Sequence, residues 1–183
     1  MEQEKGKRTQ ILAPDPARRK HLIDTLMNFL KDKVSIAEMK GITREDLFRL
    51  ADAGFVKFKH GRFKEASDIY RGLIMLDHRN AYFHAVMGAI HQKQNRPIEA
   101  IMEYSQALKL NNKELSAYVN RGEIYLRHKN FKKAAQDFRN VILLDPVGSN
   151  LWANRARSLV IALKRSMQAD HLRKQRGRTV KVR

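Results

Sequence analysis

The sequence predicts an all-α protein: a superhelix of three helix pairs, preceded by one helix and closed by a capping helix. Two recurrences and a scarcity of proline predict it. Gly54, Gly88 and Gly122 fall 34 residues apart, and Ala66, Ala100 and Ala134 repeat that spacing twelve residues further on. Only four prolines interrupt 183 residues, 43% of them hydrophobic, which leaves long stretches free to be helical.

A period of 34 is that of the tetratricopeptide repeat (TPR), a helix–turn–helix unit that buries its apolar face only by stacking on its neighbours. Residues 1–14 read as a charged, disordered tail. Asp15 and Pro16 open the first helix, Asp15 as its cap and Pro16 in its first turn, with Leu22, Ile23, Leu26, Met27, Phe29 and Leu30 at helical spacing. A connector follows, and Thr43 with Asp46 three residues on forms a capping box for the next helix, so residues 15–46 make one N-terminal segment.

Repeat one, 47–80, places small Ala53 and Gly54 where its two helices cross, Gly61 at the turn, and Ala66 and Tyr70 on its second helix. Repeat two, 81–114, has Gly88, then Asn95 at the turn, Pro97 in a first helical turn, and Ala100, Tyr104 and Ala107. Repeat three, 115–148, carries Tyr118, Gly122, Tyr125, Ala134 and Phe138 and closes on Leu144-Asp145-Pro146. Ser149 or Asn150 then caps a helix over 149–172 with Trp152, Ala156, Leu159, Val160 and Leu163. Trp152 and Ala156 stand at the fourth and eighth positions of a would-be fourth repeat, so this helix covers the end of the array. Beyond it, Arg173, Lys174, Arg176, Arg178, Lys181 and Arg183 read as a basic disordered tail.

Composition narrows the function classes. The net charge is +18, and residues 155–183 hold ten Lys or Arg against the single Asp170. Such a tail attracts phosphates, acidic protein segments and anionic lipid. The absence of cysteine excludes disulfides and thiolate chemistry and suits a reducing compartment, the cytoplasm by default. No apolar run approaches the ~20 residues that span a bilayer, and charged residues follow Met1, so a protein neither exported nor membrane-embedded is expected. The seven histidines lack zinc-type spacing, and neither a phosphate-binding glycine loop nor a serine elbow is present. No enzyme, cofactor or metal is therefore expected.

With the TPR assignment comes a geometry: first helices line a concave groove, and repeat positions 2, 5, 9, 12 and 13 face into it. These positions hold Phe48, Ala51, Phe55, Phe58 and Lys59 in repeat one; Tyr82, Ala85, Ala89, Gln92 and Lys93 in repeat two; and Ser116, Val119, Glu123, Leu126 and Arg127 in repeat three. Leu47, Leu50, Ala53 and Gly54 supply a packing face, which leaves Phe48, Phe55 and Phe58 on a second apolar face. The alternative is that these rings are core between adjacent helices. Lys59, Lys93 and Arg127 form a basic ladder or a solvated rim.

Several stretches resemble one family. Asn28-Phe29-Leu30-Lys31, Ser35-Ile36-Ala37, Leu50-Ala51, and Phe55 with Phe58, Gly61 and Phe63 are similar to the class II chaperones of type III secretion, the LcrH/SycD/IpgC family. Leu76-Asp77-His78, followed by Tyr82-Phe83 and Met87-Gly88-Ala89, is the most distinctive piece. The resemblance implies a cytoplasmic chaperone that holds a hydrophobic translocator, with an extended apolar cargo segment in the groove. Phe55 and Phe58 match aromatic positions of the family, whereas Ala51 stands where an aromatic is often found and Phe48 substitutes from the preceding turn. It also implies a homodimer through Leu22, Leu26, Phe29 and Leu30, residues that could instead pack within the monomer. Family members are commonly acidic or near neutral, so the basic charge points to a different cargo or an additional partner. The rival reading is a TPR scaffold that binds nucleic acid or another assembly through its C-terminal tail.

Overall fold

The computed structural model describes residues 15–180, with side chains for 15–172; the expected tail at 1–14 and the last three residues lie outside the described part. The chain divides into two units, Met1–Ile42 and Thr43–Arg183. Among the described residues the regular structure is entirely helical.

In the first unit, α1 spans Pro16–Leu30 and α2 is one turn, Ile36–Met39. Pro16 begins α1, where its missing N–H is no loss. Asp15 does not cap through its side chain, contrary to expectation; its backbone carbonyl accepts the Arg19 N–H at 2.8 Å. The connector contains a capping box: the Glu38 N–H donates to Ser35 Oγ at 3.2 Å, and the Ser35 N–H to Glu38 Oε2 at 2.5 Å. Asp32 and Gly41 take positive φ on either side of this turn.

The second unit comprises α3 (Arg44–Lys59), α4 (Phe63–Leu76), α5 (Ala81–Lys93), α6 (Pro97–Leu110), α7 (Leu115–Arg127), α8 (Phe131–Leu144) and α9 (Leu151–Val180). Consecutive helices pack as the pairs α3/α4, α5/α6 and α7/α8, and α9 lies against α8 and α7. Thr43 and Asp46 close both halves of the capping box that opens α3. The helix of α9 continues to Val180, past the point where disorder was expected; the side chains from Arg173 onward lie outside the described residues.

The 34-residue recurrence has a steric cause. A Cβ at Gly54 would lie 2.9 Å from the Tyr70 ring, at Gly88 2.8 Å from the Tyr104 ring, and at Gly122 2.6 Å from the Phe138 ring. Each first helix thus omits a side chain where the second helix lays a buried aromatic across it. Tyr70 also donates its hydroxyl to the Ala51 carbonyl at 2.9 Å, and Tyr104 to Gln92 Oε1 at 2.8 Å, so both buried phenols are satisfied.

The turns repeat as well. Gly61, Asn95 and Lys129, again 34 apart, all have positive φ, and Lys129 is the position that glycine and asparagine signals do not mark. Each second helix ends at a short polar residue, Asp77, Asn111 or Asp145, whose side chain accepts a backbone N–H from the following loop. This Asx turn is the physical role of the aspartate in Leu76-Asp77-His78.

One expected packing face is shifted. Leu47, Ala51 and Gly54 are the buried residues of α3, whereas Leu50 and Ala53 are exposed. The buried stripe runs at i, i+4, i+7, so Ala51 faces the second helix of its pair, where its carbonyl meets Tyr70.

Candidate functional site

The inner helices α5 and α7, the end of α3 and the start of α9 enclose a cleft of about 830 Å³. Its apolar part is Phe55, Phe58, Tyr82, Ala85, Val86 and Ala89. Phe55 and Phe58 stack with ring centroids 5.9 Å apart, and Phe58 packs against Phe63 at the same distance, which fixes the Phe58 ring from behind. Phe55 remains 37% exposed, a large apolar ring presented to solvent on a helix whose other face is filled. The alanines beside it leave hollows between ring edges.

The polar part is Gln92, Lys93, Asn95, Glu114, Ser116 and Asn120, continued by Glu123, Arg127, Trp152 and Arg155. Arg155 donates from Nε to Glu123 at 2.6 Å and lies 5.8 Å from the Trp152 ring centroid, so α9 is tied to α7 across the end of the cleft. Gln92 is turned toward its own pair by the Tyr104 hydroxyl.

Phe55, Phe58, Tyr82, Ala85, Ala89, Gln92, Lys93, Ser116, Glu123 and Arg127 all border this cleft. Five expected residues do not. Ala51 and Val119 are fully buried; Val119 packs in the core cluster of Phe138, Val141, Ala153 and Ala156. Phe48 stacks on Tyr82 at 5.9 Å and packs on Phe83 at 5.8 Å, a bracing position between two pairs. Lys59 lies over the Phe55 ring, 5.7 Å from its centroid. Leu126 lines a separate cavity of about 360 Å³ with Phe131, Ser166, Ala169 and Asp170. Position 5 of the repeat is therefore core at Ala51 and Val119 and forms cleft floor only at Ala85, and position 6, held by Val86 and Asn120, faces the cleft in the second and third pairs.

Sequence reasoning missed Val86, Asn95, Glu114, Asn120, Trp152 and Arg155. For the last two a signal was present: a helix standing where a fourth repeat would begin must line the same groove with its inner face.

Two buried polar pairs stiffen the walls behind the cleft. His84 is held between Glu103 Oε2, 2.7 Å from Nδ1, and the His78 carbonyl, 3.0 Å from Nε2. Burial lowers its proton affinity, but the carboxylate and carbonyl outweigh that and hold the imidazole above its ordinary value. In the third pair, Arg121 grips buried Asp137 with two bonds, 2.8 and 3.0 Å, and donates to Ser105 Oγ at 2.8 Å, joining α6, α7 and α8. No cluster of three potential metal ligands occurs among the described residues, and no helix there is long and apolar enough to cross a membrane.

Stacked helix pairs around a cleft of this kind form a TPR-like superhelix, and the tetratricopeptide-repeat family profile matches residues 116–146. Over most of its length the chain is similar to translocator chaperones of type III secretion. Low calcium response locus protein H of Yersinia pestis is 23% identical over 146 residues, which cover 79% of this chain and 87% of the relative. The T3SS complex structure from Aeromonas hydrophila aligns with a TM-score of 0.72 at 25% identity, covering 81% of this chain and 98% of that one. The type III secretion translocator chaperone SycD of Yersinia enterocolitica aligns at 0.65 and 22%, covering 70% and 98%. PcrH in complex with the chaperone-binding region of PopD aligns at 0.62 and 24%, covering 68% and 95%. A human relative, tetratricopeptide repeat protein 6, is 35% identical over 69 residues, 38% of this chain but only 13% of that protein.

Proposed function

We propose that this chain is a TPR chaperone that holds an extended, apolar segment of a secretion translocator in its cleft before export. It acts by binding alone, in the cytoplasm. The observation that carries the reading is the exposed Phe55 ring over Phe58, Ala85, Val86 and Ala89, in a chain similar to LcrH across most of its length. The PcrH structure supports it, since a protein of this fold there binds the chaperone-binding region of PopD.

The mechanism follows from the lining. Side chains of an extended segment alternate between two sides, so every second residue can enter the hollows between rings while the others face out. An apolar side chain fully buried in this way contributes about 1.5–3 kcal/mol. Covering such a segment also removes it from edge pairing with other unfolded chains. Ala85 and Ala89 set the depth of the hollows, and Phe55, Phe58 and Tyr82 set their walls.

Self-association through α1 belongs to the same proposal. Leu22, Leu26 and Leu30 are exposed there and Phe29 is half-buried. Nucleic-acid binding by the Arg173–Arg183 tail is the weaker reading, since the comparisons favour protein cargo.

The test is co-expression with a candidate translocator and recovery on a tagged chaperone. Phe55→Ala and Phe58→Ala are expected to reduce recovered cargo at least tenfold with unchanged helical circular dichroism, as central aromatic anchors do. Full recovery with either variant would remove the cleft as the binding surface, and loss of helicity would make the rings structural instead.

A further inference from the structure

The cleft has two rims of opposite charge. Glu114 stands directly before α7, and its carboxylate accepts the Ser116 hydroxyl at 2.5 Å. Lys93 and Arg127 are the last residues of α5 and α7, so they border the cleft at the other ends of the inner helices. Of the cleft's charged groups, Arg155 and Glu123 satisfy each other at 2.6 Å. Lys93 and Arg127 make no ion pair among the described residues; Arg127 also borders the neighbouring cavity that holds Asp170, whose carboxylate pairs with Lys129. A cation at a helix C-terminus complements the dipole. That accounts for a positive charge at each helix end, but not for two unpaired cations bordering the same apolar floor.

We infer that the cleft selects, among extended apolar segments, those with an acidic side chain beside the apolar residues, the carboxylate being received by Lys93 and Arg127. The inference rests on the groove reading above and narrows its cargo. Phe58, Val86 and Ala89 take the apolar side chains, and the flanking carboxylate fixes which way the segment lies. Arg127 offers a planar fork that matches a carboxylate with two bonds, and Lys93 adds a second, more mobile charge. At the Glu114 rim the same carboxylate meets repulsion, so one direction of the segment is favoured over its reverse. The chain's net charge of +18 draws acidic segments in from a distance, while the rim supplies the register.

The experiment uses the full chain and two fluorescein-labelled synthetic peptides of about ten residues, each with Leu and Val at alternate positions. One carries Asp and Glu beside the apolar run, and the other Asn and Gln. Fluorescence anisotropy at about 0.15 M salt should show the acidic peptide binding at least ~5-fold tighter, with the ratio shrinking as salt rises. Lys93→Gln with Arg127→Gln should bring the ratio to about one by weakening the acidic peptide. Lys109→Gln with Lys132→Gln, exposed on the outer helices α6 and α8, should keep the wild-type ratio. Equal binding of both peptides by the wild type, or an unchanged ratio in the Lys93/Arg127 variant, overturns the inference while the groove reading stands. Loss of the ratio in the Lys109/Lys132 variant overturns it in favour of general charge attraction. Binding of neither peptide overturns both.

Discussion

Substituting Ala for Gly122 tests the steric reason for the 34-residue recurrence. The new Cβ would lie 2.6 Å from Phe138 Cε1, 3.0 Å from its Cδ1 and 3.2 Å from Asp137 Cβ. Carbon atoms sit comfortably at ~3.5–4.0 Å, so the ring must move by nearly an ångström. Phe138 is fully buried and has little room to do so. Overpacking of this kind costs about 1–3 kcal/mol, against which Ala gains up to about 1 kcal/mol of helix propensity. The 2.6 Å contact puts the overpacking cost in the upper half of that range, so the net expectation is a loss of about 1–2 kcal/mol, or a thermal midpoint lowered by roughly 2–8 °C in a chain of this size. Gly72 is the internal control: it lies in α4, and a Cβ there meets nothing within 4 Å. Gly72→Ala should therefore raise the midpoint by roughly 1–4 °C. Circular dichroism melts at matched concentration measure both. If the Phe138 ring is the obstacle, Phe138→Leu should be less damaging in the Gly122→Ala background than alone. A midpoint for Gly122→Ala at or above wild type would refute the account of the glycine column.

Three further outcomes follow from the second unit. His84 has a raised proton affinity in the fold, so its contribution to stability is complete below about pH 6.5 and is lost as pH rises through the raised value; urea midpoints between about pH 5.5 and 8.5 should fall with pH, and Glu103→Gln should flatten that slope. Asp137→Asn leaves the Arg121 guanidinium largely buried without its counter-charge and should cost about 3–5 kcal/mol in a urea titration, whereas replacing both residues by apolar ones of similar volume should cost far less. Lys129→Gly removes a side chain from a left-handed turn position at the loss of one exposed ion pair to Asp170, and should raise the thermal midpoint by a few degrees; a lowered midpoint would mean that the ion pair outweighs the backbone strain.

What could be read in advance was whatever depends on local sterics. Gly54, Gly88 and Gly122, the turn residues Gly61 and Asn95, the Thr43–Asp46 box and the Asp145 stop are each dictated by near neighbours, so spacing alone exposes them. The rotation of each inner helix about its axis is different, because it depends on which side chains the second helices insert. Ala51 and Val119 went to the groove on repeat position alone, yet Tyr70 and Phe138 pull position 5 inward. Of the two readings open for Phe48, groove or core between adjacent helices, the second holds, because Tyr82 and Phe83 of the next pair reach back and engage it. Lys129 was invisible because nothing in a lysine announces a left-handed backbone.

The position of α9 joins stability to binding. The third pair leaves Val119, Phe138 and Val141 on its outer side, and Ala153, Ala156 and Leu163 cover them. A small residue at 153 and 156 lets α9 approach closely, and that approach is what brings Trp152 and Arg155 to the cleft and Arg155 within 2.6 Å of Glu123. The helix that caps the core is thus also the end wall of the groove. A larger side chain on its buried side would push α9 away from α7, so Ala156→Leu should weaken binding of an apolar peptide in an anisotropy titration even though Ala156 is fully buried and does not line the cleft.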